Sequence, residues 1–189
     1  VIVGGSPFTS SDPAEHKSAT QHRVERELFA LLDRIVAEDF PFLGACYGVG
    51  TLGLHQGAVI DRTYGEGLGG VTVSMTTAGQ QDPLLRGLPE QFTAFVGHKE
   101  ACTVLPGEAV LLASSETCPV QMFRIRSNLY ATQFHPELDA DGLTTRIDIY
   151  RHAGYFPPDS AEELMAQARQ HNVTEPMAIL RNFVERYAR

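Results

Sequence analysis

Apolar residues Val24, Leu28, Leu31, Leu32, Ile35 and Val36 recur at three- and four-residue spacing, which predicts one amphipathic helix from about Ala14 to Asp39. Before it, Val1 to Val3 read as the end of a buried strand, and Gly4-Gly5-Ser6-Pro7 as the turn that leaves it. After it, Phe40 to Ala45 form a short buried strand and Val49 to Gln56 a second helix closed by Gly57. Gly70–Thr76, Phe92–Val96, Ala109–Ser114, Val120–Ile125 and Leu129–Phe134 carry the β-branched and aromatic content of strands. Ser160-Ala161-Glu162-Glu163 fits a capping box that opens a helix to about His171. Met177, Leu180, Phe183, Val184 and Tyr187 then predict the apolar face of a last helix. This order predicts an α/β fold: a doubly wound, mostly parallel sheet flanked by helices, with an antiparallel excursion. Residues 1–189 read as a single domain whose residues 141–189 form a helical C-terminal extension.

Composition narrows the function classes. The chain has 189 residues, 43% of them hydrophobic, enough for one sizeable core. Fifteen basic against twenty-three acidic residues leave a net charge of -8, without the basic stripe that a phosphate backbone requires, so nucleic acid is not an expected partner. No apolar run approaches the ~18 to 20 residues of a membrane span, and no export signal opens the chain, so a soluble, cytoplasmic protein is expected. Cys46, Cys102 and Cys118 lack the close Cys/His spacing of a structural zinc site, so neither a metal nor a cofactor is expected. Gly65-Glu66-Gly67-Leu68-Gly69-Gly70 invites a phosphate-loop reading, but no Lys-Ser/Thr follows, and it reads as a flexible turn.

Two segments carry chemistry. Cys46 lies in Gly44-Ala45-Cys46-Tyr47-Gly48, between a buried strand and a helix, where small neighbours permit the sharp turn of a nucleophile elbow. A thiol at a helix N-terminus faces exposed amides that favour the thiolate. A free cysteine is otherwise a small core residue. Downstream, the strand Leu129–Phe134 runs into His135-Pro136-Glu137. Residues i and i+2 of an extended segment point the same way, so the Glu137 carboxylate can fix the tautomer of His135. Nucleophile, base and orienter are the three roles of covalent acyl transfer.

Gly-Ala-Cys-Tyr-Gly after a strand, Gln-Phe-His-Pro-Glu further on and an early Gly-Gly-Ser-Pro turn together resemble the class I glutamine amidotransferases. The likeness is nearest the glutaminase domain of GMP synthase and its stand-alone relatives, and Leu111 to Pro119 also resembles a run in that group. The resemblance implies that Cys46 attacks the side-chain amide of L-glutamine, with His135 as base and Glu137 as orienter. It also implies backbone oxyanion donors at Gly5, or Gly4, and at Tyr47, and a pocket bordered by the loop carrying His98. A surface histidine is the alternative for His98, and a plain tight turn for the glycine pair.

Three departures from the family pattern qualify these expectations. Gly50 stands where members commonly carry a substrate-holding Gln, so a hydrolase of other γ-glutamyl amides or peptides is a second reading and a catalytically silent module a third. The strand, helix and strand that usually precede the glycine turn are missing, so about 40 to 60 further N-terminal residues are expected, the length of a βα unit with its returning strand. No synthetase domain accompanies the glutaminase, which implies ammonia delivery to a separate acceptor enzyme. Arg146, Tyr150, Arg151, His152, Tyr155 and Phe156 mix cationic and aromatic groups, as a docking surface or as an ordinary covered loop.

Overall fold

In the computed structural model, which describes residues 1–152 and 156–188, helices flank both faces of a seven-stranded sheet, and a second sheet has two strands. The strands are β1 (Ile2–Val3), β2 (Phe42–Ala45), β3 (Val59–Asp61), β4 (Glu66–Met75), β5 (Gln91–His98), β6 (Ala101–Val104), β7 (Ala109–Ser114), β8 (Met122–Ile125) and β9 (Leu129–Thr132). The α-helices are α1 (Ala19–Glu38), α2 (Tyr47–His55), α3 (Thr77–Gln81), α4 (Ala140–Ile149), α5 (Ala161–Ala168) and α6 (Met177–Tyr187). The large sheet runs β1-β2-β9-β8-β7-β4-β5, and β3 pairs with β6. β1, β2 and β9 are parallel, and every pairing beyond β9 is antiparallel. The doubly wound class predicted from the sequence holds, with the antiparallel excursion supplying the larger part of the sheet.

β2 is buried on both faces, and its alternation sends Phe42 and Leu43 to opposite cores. On the Phe42 side, Leu32 and Ile35 of α1 and Val49 and Leu52 of α2 pack against Phe123, Ile125, Leu129 and Ala131. On the Leu43 side, Ile179 and Phe183 of α6 join Leu84, Tyr130 and Phe134. A third cluster sets Leu143, Ile147, Ala161 and Met165 of α4 and α5 against Phe95. No helix among the described residues is long and apolar enough to cross a membrane.

Asp39, in the left-handed region at φ 48°, ends α1 and ties β2 to β9. Its carboxylate accepts from the backbone N–H of Asn128 at 3.1 Å and of Ser127 at 3.3 Å, while Phe42 N–H donates to Asn128 O at 3.0 Å. The parallel register then runs from Phe42 opposite Leu129 to Ala45 opposite Thr132.

Several boundaries differ from the sequence reading. α1 starts at Ala19, under a Ser18 side chain that accepts from Gln21 N–H, and Ala14–His16 is a separate 3-10 turn. α2 starts at Tyr47, directly after the nucleophile candidate, rather than at Val49. The glycine-rich segment is no flexible turn: Glu66 to Gly70 open β4 and pair with β5 through a bulge, and Gly70 leaves room for the His171 ring. Ser160 makes no side-chain cap, so the capping box is not formed. In α6, Met177 and Val184 are exposed and Ile179 and Phe183 are the buried pair. β3, β6, α3 and α4 are elements that hydrophobic periodicity did not reveal.

Candidate active site

The carboxyl ends of three adjacent parallel strands bring the candidate residues together, the usual place for a site in an open α/β sheet. Gly4-Gly5 follow β1, Cys46 follows β2, and His135 lies three residues beyond β9. Cys46 has φ 55° and ψ −90°, a conformation that costs a non-glycine residue ~1–3 kcal/mol and persists only where neighbours enforce it. Here its N–H donates to Thr132 O at 2.7 Å and its carbonyl accepts from Val49 N–H at 3.0 Å. A Cβ on Gly44 would stand 2.7 Å from the Gly48 Cα, so the glycines either side of the cysteine allow strand and helix to meet. Tyr47 is the first residue of α2, and its N–H belongs to the unpaired first turn.

His135 is 2% exposed, and its backbone N–H donates to Phe95 O at 2.9 Å. Its Nδ1 meets Glu137 Oε1 at 2.7 Å, the pairing that the i, i+2 spacing predicts. Nε2 is buried and has no partner at hydrogen-bonding geometry among the described residues, while the Cys46 thiol is close enough to govern its proton. Burial alone would lower the basicity of the imidazole, but Cys46 and Glu137 outweigh it and push its pKa up to about 9. Burial likewise works to raise the Glu137 carboxyl, and the hydrogen bond and charge of His135, with Arg146 behind them, hold it below the usual range.

Arg146 is the residue that sequence reasoning misplaced. Its Nη1 lies 3.2 Å from His135 Nδ1 and 3.8 Å from Glu137 Oε1, and its guanidinium stacks over the Tyr150 ring. With Nδ1–H donating to Glu137, that nitrogen has no lone pair for the guanidinium, so the 3.2 Å contact is charge proximity beside the dyad. Arg151 pairs with Asp148 and Glu162. Phe156 packs against the third cluster, and Tyr155 lies outside the described residues.

Gly5 abuts the dyad: a Cβ there would fall 2.8 Å from His135 Cε1 and 2.6 Å from Arg146 Nη2. Gly4 has open space around it. A narrow cleft opens over Cys46, lined by Phe8, Tyr47, His98, Lys99, Glu100 and Gln133 among others. His98 is at its wall, not on the solvent surface, but both ring nitrogens are engaged, Nε2 with Glu66 at 2.8 Å and Nδ1 with Glu100 O at 2.9 Å. Gly50 faces the Ser10 and Glu100 side chains, and a Cβ there would be 2.6 Å from Ser10 Oγ.

Glu66, His98 and Cys118, far apart in sequence, place ligand-capable atoms within 4.8 Å of one another. Hydrogen bonds already occupy them: Glu66 accepts from Gln121 and Thr117 as well as facing His98, and the Cys118 thiol points at Val120 O. Burial pushes the Cys118 thiol up to about 12 and the Cys102 thiol to about 11.

Comparison with known proteins gives this geometry a family. A glutamine-hydrolyzing GMP synthase subunit of Thermoplasma volcanium is 35% identical over 114 residues, 60% of this chain and 55% of that protein. The corresponding protein of Methanoculleus marisnigri is 35% identical over 99 residues, 52% of each. The chain thus spans about half the length of the curated relatives it matches. The crystal structure of a glutamine amidotransferase from Thermotoga maritima superposes with a TM-score of 0.76 over 98% of this chain and 77% of that one, at 24% identity, a likeness of fold. The family model "Glutamine amidotransferase class-I" matches residues 9–146, most of the chain and nearly all of the site just described, and the chain belongs to that family.

Proposed function

We propose that this protein hydrolyses the side-chain amide of L-glutamine through a Cys46 thioester and releases ammonia to a separate acceptor enzyme. One observation carries the reading: a cysteine held at φ 55° on a strand-to-helix turn, beside a buried histidine whose far nitrogen is fixed by Glu137 at 2.7 Å. With its proton affinity raised to about 9, His135 carries a proton at neutral pH that it can give to a departing nitrogen.

The thiolate attacks the amide carbon, forming the C–S bond and moving the carbonyl electron pair onto oxygen. Backbone N–H groups of Gly5 and Tyr47 receive that oxyanion, a contribution of ~10²–10³ in rate per donor. His135 gives its Nε2 proton to the departing nitrogen, the C–N bond breaks and ammonia leaves. Water then attacks the thioester while His135 accepts its proton, and the collapse returns thiolate and glutamate. Glu137 keeps the imidazole in one tautomer and orientation throughout.

Relatives named as glutamine-hydrolyzing GMP synthase components make a nucleotide-activating synthetase the expected receiver of the ammonia. The crowding of position 50 by Ser10 and Glu100 favours a second reading, a hydrolase of other γ-glutamyl amides. The test is glutamate and ammonia release from L-glutamine by wild type and Cys46→Ala, repeated with candidate synthetases and with a γ-glutamyl panel. Equal, mutant-sensitive yields of both products support the first reading. Products from the panel but not from glutamine support the second, and turnover that survives Cys46→Ala sinks both.

A further inference from the structure

We infer that a second ligand site lies between α1 and α2, behind the catalytic cleft, and that it takes a small aromatic carboxylate whose binding bears on Cys46 through Tyr47. A cavity of about 450 Å³ opens there, lined by Lys17, by Glu25, Arg26 and Phe29 of α1 and by Tyr47 and Leu54 of α2, among others. That size falls within the ~300–1,000 Å³ of small-molecule sites. Tyr47 lines both this cavity and the cleft over Cys46. Ser10, a second wall residue, donates its N–H to Glu100 of the cleft at 2.7 Å and accepts from Lys17 Nζ at 2.8 Å. An occupant therefore rests against the partition between the two spaces.

The walls state the chemistry of that occupant. Tyr47 is 5% exposed, and its hydroxyl has no partner at hydrogen-bonding geometry among the described residues, although Ser10 lies close to it. Burial, and after it the Glu25 carboxylate, push this hydroxyl up to about 12, so at neutral pH it is an O–H waiting for an acceptor. Glu25 acts on it more strongly than Glu100 of the cleft, in keeping with a hydroxyl turned toward α1. Phe29 and Leu54 supply apolar surface for a ring, and Phe29 is held edge-on by His55 at 5.5 Å, itself paired with Asp33. Lys17 and Glu25 neutralise each other at 3.0 Å, and Glu25 Oε1 also accepts from Gln21. Glu27, the acid beside Arg26, is taken by Arg23 at 2.8 Å. Arg26 makes no hydrogen bond or ion pair among the described residues, which leaves one uncompensated cation at the rim for a carboxylate.

The test is calorimetry on the full chain at pH 7 with 4-hydroxybenzoate as probe. The controls are 4-hydroxybenzamide, which keeps the ring without the charge, and acetate, which keeps the charge without the ring. Wild type is expected to bind the probe at one site, at least about tenfold more tightly than either control. Arg26→Gln should bring the probe down to the level of the amide, and Tyr47→Phe should weaken it about fivefold, the size of one hydrogen bond. Saturating probe should also change the rate at which iodoacetamide alkylates Cys46 by at least about twofold, and the same concentration should leave Arg26→Gln unaffected. No binding of the probe, or binding no tighter than the amide's, overturns the inference. So does binding that is lost once Cys46 is alkylated, which would put the probe in the catalytic cleft. An alkylation rate unchanged at saturation overturns the link to Cys46. Alkylation reads the thiol whatever it acts on, so these outcomes stand apart from those of glutamine hydrolysis.

Discussion

Raising the pH should destabilise the fold through His135. The imidazole sits at about 9 in the folded protein against 6.5 for the free side chain. The native state therefore holds this proton after the unfolded chain has released it. The stability that the proton supplies is complete below pH ~6.5 and is lost as pH rises through ~9. At ~1.4 kcal/mol for each pH unit of separation, the loss amounts to roughly 3 kcal/mol, a large share of the ~5–15 kcal/mol that holds a domain together. Because His135 and Cys46 interact, the loss belongs to the pair and is spread over the window. Urea unfolding of wild type and His135→Gln at half-unit steps from about pH 6 to 10 isolates it from other groups that titrate there. The expected result is a wild-type midpoint that falls across the window and a variant curve that is nearly flat. Parallel curves for the two proteins would refute the account of His135 as a buried, doubly supported cation.

Gly44→Ala should cost ~1–3 kcal/mol, since the new methyl would overlap the Gly48 backbone at 2.7 Å, and a thermal midpoint within a degree of wild type would contradict the tight-turn argument. Glu66→Gln weakens the hydrogen bonds that the carboxylate accepts from His98 and Gln121 and should destabilise by ~1–3 kcal/mol; denaturant titration showing no loss would mean that these contacts are open to water. Arg146→Met removes a cation that helps keep Glu137 ionised, so the acid limb of the glutaminase pH–rate profile should move to higher pH. Arg146→Lys should restore part of the shift, and an unmoved limb would confine Arg146 to packing.

What the sequence made legible was whatever depends on neighbours along the chain. The Cys46 turn could be read because its small flanking residues are themselves the steric requirement, and the His135–Glu137 contact because an i, i+2 pair needs no tertiary information. Glu66 was hidden by its setting: glycines that look like a turn instead admit a bulged strand, and the strand carries Glu66 to His98. Arg146 was hidden because periodicity does not say which helical residue will meet a dyad formed on another strand. β3 and β6 are too short and too weakly patterned to stand out, and they exist because they pair with each other. Gly50 could be noticed as unusual, but only the fold reveals that Ser10 and Glu100 fill the space beside it.

The Asp39 knot at the opposite end of β2 and β9 works as a distant gauge for the chemistry. It sets which residue of one strand lies beside which residue of the other, and that alignment is carried along the strands, ~13 Å at ~3.3 Å per residue, to where Cys46 and His135 emerge. A slip of one residue would turn each side chain beyond it to the other face. Asp39 touches nothing in the pocket, yet loosening it would blur the alignment on which every contact there depends.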